Sequence, residues 1–182
     1  MRYEQTGCRC VMCHDYGDRS ERDPAEVNTV SQVQAHGWSV LMVPEDDHGP
    51  GWAYTIGLWH SYRIPELAMF GLDVEVLRTC LNDIGRRAVA GQSVEAGQTL
   101  DGVIERWPLQ LRDVDLRWCR AFFARAIAFY RRPPIPFLQV LWPDRNGRLT
   151  WDADSEAVVR VRQPQLWLPP ALHPKGVWTQ DL

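Results

Sequence analysis

The fold is decided by Gly51-Trp-Ala-Tyr-Thr-Ile-Gly-Leu-Trp-His60, which is followed closely by Pro65-Glu-Leu-Ala-Met-Phe-Gly71. Aromatic, β-branched and other apolar residues dominate both segments, and such residues favour buried strands. We therefore predict a strand over residues 52–58 and a second strand over residues 66–71, entered through Pro65. Polar side chains at the ends of these strands make the same stretch a candidate site.

The residues before this stretch predict a helix followed by a partner strand. Asp23 and Glu26 form a capping-box pattern where the helix begins, and Gly37 is suited to end it. Residues 38–43 then predict a strand. We expect it to pair antiparallel with the strand over residues 52–58, because a turn-rich acidic loop joins the two.

The second half of the chain adds helices and strand pairs without regular βαβ alternation. We predict a helix from Asp73 to Gly91, a helix over 116–130 stopped by Pro133-Pro134, strands over 102–104 and 109–114, and a hairpin of 137–142 with 148–151 turning at Asn146-Gly147. This pattern indicates a single α+β domain, with a mostly antiparallel or mixed sheet and about three helices packed on it. We assign 1–22 to a cysteine-bearing N-terminal segment, 23–162 to the domain, and 163–182 to a Pro/Trp-rich C-terminal tail that wraps the body or binds a partner.

Charge and hydropathy narrow the class of protein. The 182 residues carry 20 Lys and Arg against 23 Asp and Glu, and the net charge of −3 argues against a dedicated binder of nucleic acid or anionic membrane. No apolar run approaches the roughly 20 residues that span a bilayer, and the polar start Met1–Gly7 does not resemble a signal peptide. We therefore expect a cytoplasmic protein with reduced cysteines, whose partner is a small molecule or another protein.

Three cysteines near the N-terminus form the cluster with the clearest chemical potential. Thiolate and imidazole are zinc ligands, and a tetrahedral site takes four of them. Cys10 and Cys13 have the spacing that lets a tight turn present two sulfurs to one metal, and Cys8 supplies a third. We place His14 in the predicted metal set. The other candidates for the fourth ligand are a carboxylate, His36 and His48.

The same cysteines allow other interpretations. They can form a redox-sensing thiol group, or a lead-in that binds no metal. Cys10-Val-Met-Cys13-His14 also matches the attachment pattern for haem c, but that attachment takes place outside the cytoplasm. Cys80 and Cys119 lie on the apolar faces of their predicted helices, which favours a role in the core.

A second candidate site combines groups for acid–base chemistry and anion binding. Its residues are Tyr54, Thr55, His60, Tyr62, Arg63 and Glu66. His60 suits a general base near neutral pH, Arg63 suits a carboxylate or phosphate, and Glu66 can orient either. The alternative is structural: the Tyr-Thr pair has strand propensity, and Arg63 with Glu66 can form an ion pair. The nearby loop Asp46-Asp47-His48 offers metal ligands, although an exposed polar turn explains it equally.

Familiar nucleotide and hydrolase motifs are absent from the sequence. It contains no Gly-x-x-x-x-Gly-Lys-Ser/Thr loop, no Gly-x-Gly-x-x-Gly after a strand, no His-Glu-x-x-His and no Gly-x-Ser-x-Gly. These absences argue against nucleotide or flavin cofactors, zinc peptidases of the His-Glu-x-x-His type and α/β-hydrolases.

Several segments together resemble one family. They are Gly37-Trp38, residues 51–58, Pro65-Glu-Leu67, Gly71-Leu72 and Leu81-Asn82. The chain is similar to the bacterial domain-of-unknown-function family 4262, whose hallmark is a Tyr-Thr-Ile-Gly-Leu block shortly before Pro-Glu. The resemblance includes Cys10, Cys13 and residues 137–144, so it covers about residues 8–152. It implies a soluble bacterial protein, and it carries no catalytic assignment.

Three hypotheses follow from the sequence. The first is a non-enzymatic domain that binds a ligand or partner and holds a structural zinc with its N-terminal cysteines. The second is an enzyme of unknown reaction that uses His60 as acid/base and Arg63 as anion anchor, which requires both side chains to converge on one cleft. The third is a redox-sensing or immunity-type interaction protein.

Overall fold

The computed structural model describes residues 8–131 and 135–180. The polar start Met1–Gly7 and the predicted helix stop Pro133-Pro134 lie outside those residues. The described chain forms a six-stranded sheet of β1 (Ser39–Val43), β2 (Trp52–Ile56), β3 (Glu66–Phe70), β4 (Thr99–Ile104), β5 (Trp107–Asp113) and β6 (Phe137–Leu141). Its order is β1-β2-β3-β6-β5-β4; β3 and β6 are parallel, and all other neighbours are antiparallel.

Six α-helices accompany the sheet in the described part of the chain. They are α1 (Pro24–His36), α2 (Leu58–Tyr62), α3 (Val74–Val89), α4 (Cys119–Phe122), α5 (Ala124–Tyr130) and α6 (Ala157–Arg162), with 3-10 turns at Arg19–Glu21, Leu116–Trp118, Pro170–Leu172 and Val177–Thr179. Helices α1, α3 and α5 have 13, 16 and 7 residues, and the other three are shorter. The predicted α+β class with a mixed sheet is confirmed.

The local signals at α1 produce the predicted contacts. The Asp23 carboxylate accepts the N–H of Glu26 at 2.8 Å, and the Glu26 carboxylate accepts the N–H of Asp23 at 3.2 Å. Gly37 follows the helix with a left-handed φ of 88°, which glycine adopts without a Cβ penalty. Strands β1 and β2 then pair antiparallel, as predicted, with Leu41 opposite Tyr54.

Two predicted elements are interrupted in the structure. The strand over residues 52–58 ends at Ile56, because Gly57 turns the chain into α2 with a φ of 117°. The helix over residues 116–130 breaks at Phe123, whose φ and ψ are −124° and 34°. This break lets the fully buried Phe123 ring stack on Phe137, with 4.1 Å between ring centroids.

The hairpin predicted for residues 137–142 and 148–151 is wrong in its second strand. The turn at Gly147 forms, but residues 148–151 do not join the sheet. The Asp144 carboxylate accepts the N–H groups of Asn146, Arg148 and Glu156 at 2.8–3.0 Å. These bonds curl the chain around Asp144, because they satisfy backbone donors that a strand ladder would otherwise use.

The sheet separates two hydrophobic cores. Residues on the α3 face include Ala53, Leu67, Met69, Leu77, Leu81 and Val140. Residues on the opposite face, which α1, α4 and α5 cover, include Val33, Tyr54, Ala68, Phe70, Phe123 and Tyr130. Successive strand residues alternate between these faces, as the period of a β-strand requires.

The C-terminal tail packs on the domain over its described residues. The Gln139 side chain donates to the Pro164 carbonyl at 2.6 Å and accepts the N–H of Leu166 at 3.1 Å. Trp178 is only 8% exposed and donates its indole N–H to the Val161 carbonyl. The tail therefore wraps the body, which is one of the two roles expected for it. Within residues 8–131 and 135–180, none of the helices combines the length and apolar character that crossing a membrane requires.

The stability of the domain should depend on the core beneath α3. Leu81 is fully buried there, so Leu81→Ala removes apolar contacts and leaves a cavity. We expect the free energy of unfolding to fall by about 2–5 kcal/mol in chemical denaturation. Val76 lies on the same helix but is 45% exposed, so Val76→Ala is the control. Equal losses in both variants would contradict this packing.

His173 in the C-terminal tail should make the free energy of unfolding depend on pH. Half-buried His173 accepts the N–H of Gln165 at its Nε2, and desolvation by burial lowers its pKa from the ordinary value. Above an imidazole pKa of about 6.5 both states are neutral, whereas below it the unfolded chain binds the proton first. The free energy of unfolding should therefore decrease as the pH falls below that value.

The measurement is urea denaturation of wild type and His173→Gln across this pH range. The variant has no imidazole at this position, so we expect its stability to change less with pH. A wild-type curve parallel to that of the variant would show that His173 does not contribute.

Candidate metal centre

The N-terminal segment forms a tight turn that is anchored in the core. The Cys10 carbonyl accepts the N–H groups of Cys13 and His14 at 3.1 and 3.0 Å, which closes the turn. Cys10 is fully buried, and the next residue, Val11, donates its N–H to the Phe129 carbonyl at 2.9 Å. Because Phe129 belongs to α5, the turn has a fixed position relative to the sheet.

Helix α2 brings His60 to this turn. The Nδ1 atom of His60 lies 3.7, 3.2 and 3.4 Å from the sulfurs of Cys8, Cys10 and Cys13. Zn–S bonds of about 2.3 Å and Zn–N bonds of about 2.0 Å, arranged as a tetrahedron, separate sulfur from nitrogen by about 3.5 Å. All four donor atoms lie within 4.8 Å of one another, close enough to hold one metal ion.

His60, not His14, joins the three sulfurs. The His14 ring instead packs against Tyr16, with 4.6 Å between centroids. His36 lies at the end of α1 and His48 in the loop before β2, and neither belongs to the cluster. Among the described residues, Cys8, Cys10, Cys13 and His60 are the one such group of three or more potential ligands.

The three thiols interact strongly with one another. Hydrogen bonding from the Cys10 thiol lowers the pKa of Cys8 to about 4, and the same bond raises the pKa of Cys10. Desolvation raises the pKa of Cys13, while the charge of Arg63 lowers it by a smaller amount. Hydrogen bonds from the neighbouring thiols thus stabilise a thiolate at Cys8. A bound metal ion would displace the protons that remain on those thiols.

A buried carboxylate fixes the start of α2. Glu66 is 0% exposed, and its Oε1 accepts the N–H groups of Gly57 and Trp59 at 2.9 and 3.1 Å. Thr55 donates its hydroxyl to Oε2 at 2.5 Å, and Tyr130 donates its hydroxyl to Oε1. Burial raises the pKa of both Glu66 and Tyr130. These bonds satisfy main-chain donors that no helical partner reaches.

Tyr130 links this carboxylate to the metal centre. Its hydroxyl oxygen accepts the N–H groups of Gly57 and His60 at 3.1 and 3.3 Å. The backbone of His60 therefore rests on the hydroxyl that also donates to Glu66. Such outer contacts orient ligands in metal sites and strengthen metal binding.

Gly57 is required by both conformation and space. Its φ of 117° lies in the left-handed region, and a Cβ there would lie 2.9 Å from the Gly37 carbonyl oxygen. Thr55, Gly57 and Glu66 therefore act together. The Thr-Ile-Gly block and the later Pro-Glu pair encode one hydrogen-bonded unit.

The other residues of the predicted polar pocket are dispersed. Tyr54 and Thr55 are buried, whereas Tyr62 is partly exposed and lies against the edge of Trp38. Arg63 donates from one nitrogen to the carbonyls of Trp59 and His60 at 2.6 and 2.9 Å. The structure therefore directs the Arg63 guanidinium to the end of α2 and His60 Nδ1 to the sulfurs.

The acidic loop before β2 forms a turn. Oδ1 of Asp46 accepts the N–H groups of His48 and Gly49 at 2.8 and 3.2 Å. These bonds hold the loop in a turn.

Comparison with known proteins gives one match. The model of the family described as "Domain of unknown function (DUF4262)" matches residues 32–156. The match contains His60, Glu66 and Tyr130, but it begins after the three cysteines. Searches of curated proteins and of solved structures found no match.

The contact between Tyr130 and His60 predicts an effect on stability and metal binding. Tyr130→Phe removes one donor to Glu66 and the hydroxyl oxygen that accepts the His60 N–H, whereas the Gly57 N–H keeps Glu66 Oε1 as an acceptor. We expect a loss of about 1–3 kcal/mol in the free energy of unfolding and weaker zinc binding in competition with a chelator. Tyr62→Phe, on α2 but partly exposed, is the control. Unchanged zinc affinity in Tyr130→Phe would disprove the positioning role.

Proposed function

We propose that this protein, which belongs to the DUF4262 family of domains of unknown function, binds one structural Zn²⁺ through Cys8, Cys10, Cys13 and His60. The domain then serves as a non-enzymatic binding module for a ligand or protein partner. The observation that carries the zinc proposal is the convergence of three sulfurs on one imidazole nitrogen, at 3.2–3.7 Å.

The donor set favours zinc over harder cations. Three thiolates and one imidazole suit zinc, whereas magnesium and calcium prefer oxygen ligands. Iron–sulfur clusters also use thiolates, but usually four of them. The Cys3His composition is one that structural zinc sites use.

Four protein ligands complete a tetrahedron. Catalytic zinc sites keep a position open for water or substrate, whereas structural sites fill all four positions with protein atoms. A zinc held by this set therefore supports the fold and leaves no position for substrate. It would tie the N-terminal turn to α2, two segments about fifty residues apart in sequence.

The surroundings suit a cluster that carries a net negative charge. Three thiolates and one Zn²⁺ sum to one negative charge, and the charge of Arg63 acts on Cys13. Arg63 is held in place by the carbonyls at the end of α2. In this proposal Arg63 compensates the negative charge of the zinc–thiolate cluster instead of anchoring a substrate.

A redox-sensing thiol group is the second candidate. It is favoured by the exposure of Cys13 next to two further sulfurs. A peroxide would take two hydrogens from two of these thiols, forming a disulfide and releasing water. This function requires the thiols to be free of tightly bound metal in the reduced protein.

Elemental analysis of protein purified under reducing conditions tests the zinc proposal. We expect about one zinc ion per wild-type chain, and strong loss of zinc in His60→Ala and Cys13→Ser. Removing the metal with a chelator should lower the thermal midpoint, because binding energy is folding energy in such sites.

His14→Ala is the matched control, because His14 adjoins the cysteines but lies outside the group. It should retain zinc. Folded, reduced wild type with little zinc would overturn the proposal. A rapid intramolecular disulfide in that same sample would favour the redox candidate.

A further inference from the structure

A cavity of about 250 Å³ lies away from the cysteine cluster, between the loop before β2, helix α4 and the C-terminal 3-10 turn. Its walls include Asp46, His48, Trp52, Ala121, Phe122 and Trp178. The zinc proposal does not use this cavity. Its volume is somewhat below the range typical of drug-sized ligands, which suits a smaller molecule.

Three aromatic rings form adjacent walls at steep angles. Phe122 meets Trp52 at 87° and Trp178 at 66°, with centroids 5.6 and 5.9 Å apart. Both indole N–H donors are already used: Trp52 donates to the Phe122 carbonyl and Trp178 to the Val161 carbonyl. Neither indole therefore offers the cavity a free hydrogen-bond donor, and both line it as electron-rich aromatic rings.

The charge of the lining complements this aromatic surface. Asp46 supplies a carboxylate, and His48 is the one basic side chain among the described residues that line the cavity, which include no Lys or Arg. Oδ1 of Asp46 accepts two main-chain N–H groups, which holds the carboxylate in position. An anion would meet a negative charge and electron-rich aromatic rings, whereas a cation would be attracted to both.

We propose that this cavity binds a small organic cation bearing a quaternary ammonium group. Such a group has no N–H to donate, so it needs ring faces and a counter-charge instead of hydrogen-bond acceptors. The tail completes the site, because Trp178 folds back over Phe70 and Phe122.

Choline and its neutral isostere 3,3-dimethyl-1-butanol test the proposal as a matched pair. Titration of full-length protein, followed by NMR of the indole N–H groups, should show saturable shifts with choline. Binding of the isostere should be weaker by roughly tenfold, because the two molecules share a shape and differ in charge. Equal binding of both, or no choline binding, would overturn the proposal.

Two pairs of variants locate the binding. Asp46→Asn keeps Oδ1 as an acceptor and removes the charge, so choline affinity should fall roughly threefold. Asp47→Asn, next in sequence but outside the lining, should leave the affinity unchanged.

A second pair tests the space in the cavity. Ala121 is exposed and lines the cavity, so Ala121→Trp should fill it and abolish choline binding. Trp151→Ala, which changes a tryptophan outside the lining, should leave binding intact. Equal effects within either pair would contradict the assigned cavity.

Discussion

The hydrogen bonds to the buried Glu66 carboxylate are the interaction on which the rest of the candidate site depends. A carboxylate without water is costly unless donors surround it. Here two main-chain N–H groups and two hydroxyls supply those donors. The bonds join the ends of β2 and β3 to the start of α2 and to α5. They fix the direction in which α2 leaves the sheet, and hence where His60 lies.

The candidate metal centre is built outward from that buried unit. Tyr130 contacts Glu66 on one side and the His60 backbone on the other. The cysteine turn reaches the same place by a separate route, through the bond between Val11 and Phe129. His60 and the residues that position it therefore lie within the part of the chain that the family model matches, whereas the three cysteines precede that part.

The two faces of the sheet have different roles. The α3 face is an apolar core built from aliphatic side chains. The other face collects the aromatic rings, the N-terminal turn and the C-terminal tail. Both candidate sites lie on this second face, since Cys10 and the rings of Trp52, Phe122 and Trp178 all belong to its core or pack against it. The tail matters to one site and the cysteine turn to the other, so two segments outside the family match complete the surface.

Short-range patterns in the sequence predict the local elements and the cysteine cluster. The capping residues of α1, the strands on either side of the acidic loop and the start of α3 follow from short-range rules, because their contacts are made within a few residues. Cys8, Cys10 and Cys13 form a predictable cluster for the same reason, since they lie within six positions of the chain. Which side chain joins the three sulfurs, and what the Thr-Ile-Gly and Pro-Glu blocks do, became evident from the folded chain alone. His60 lies about fifty residues from the cysteines, and Tyr130 about seventy from the backbone it supports. Sequence-spacing rules do not extend over such separations. These residues meet because the pairing of β3 with β6 brings α2, α5 and the N-terminal turn to one end of the sheet.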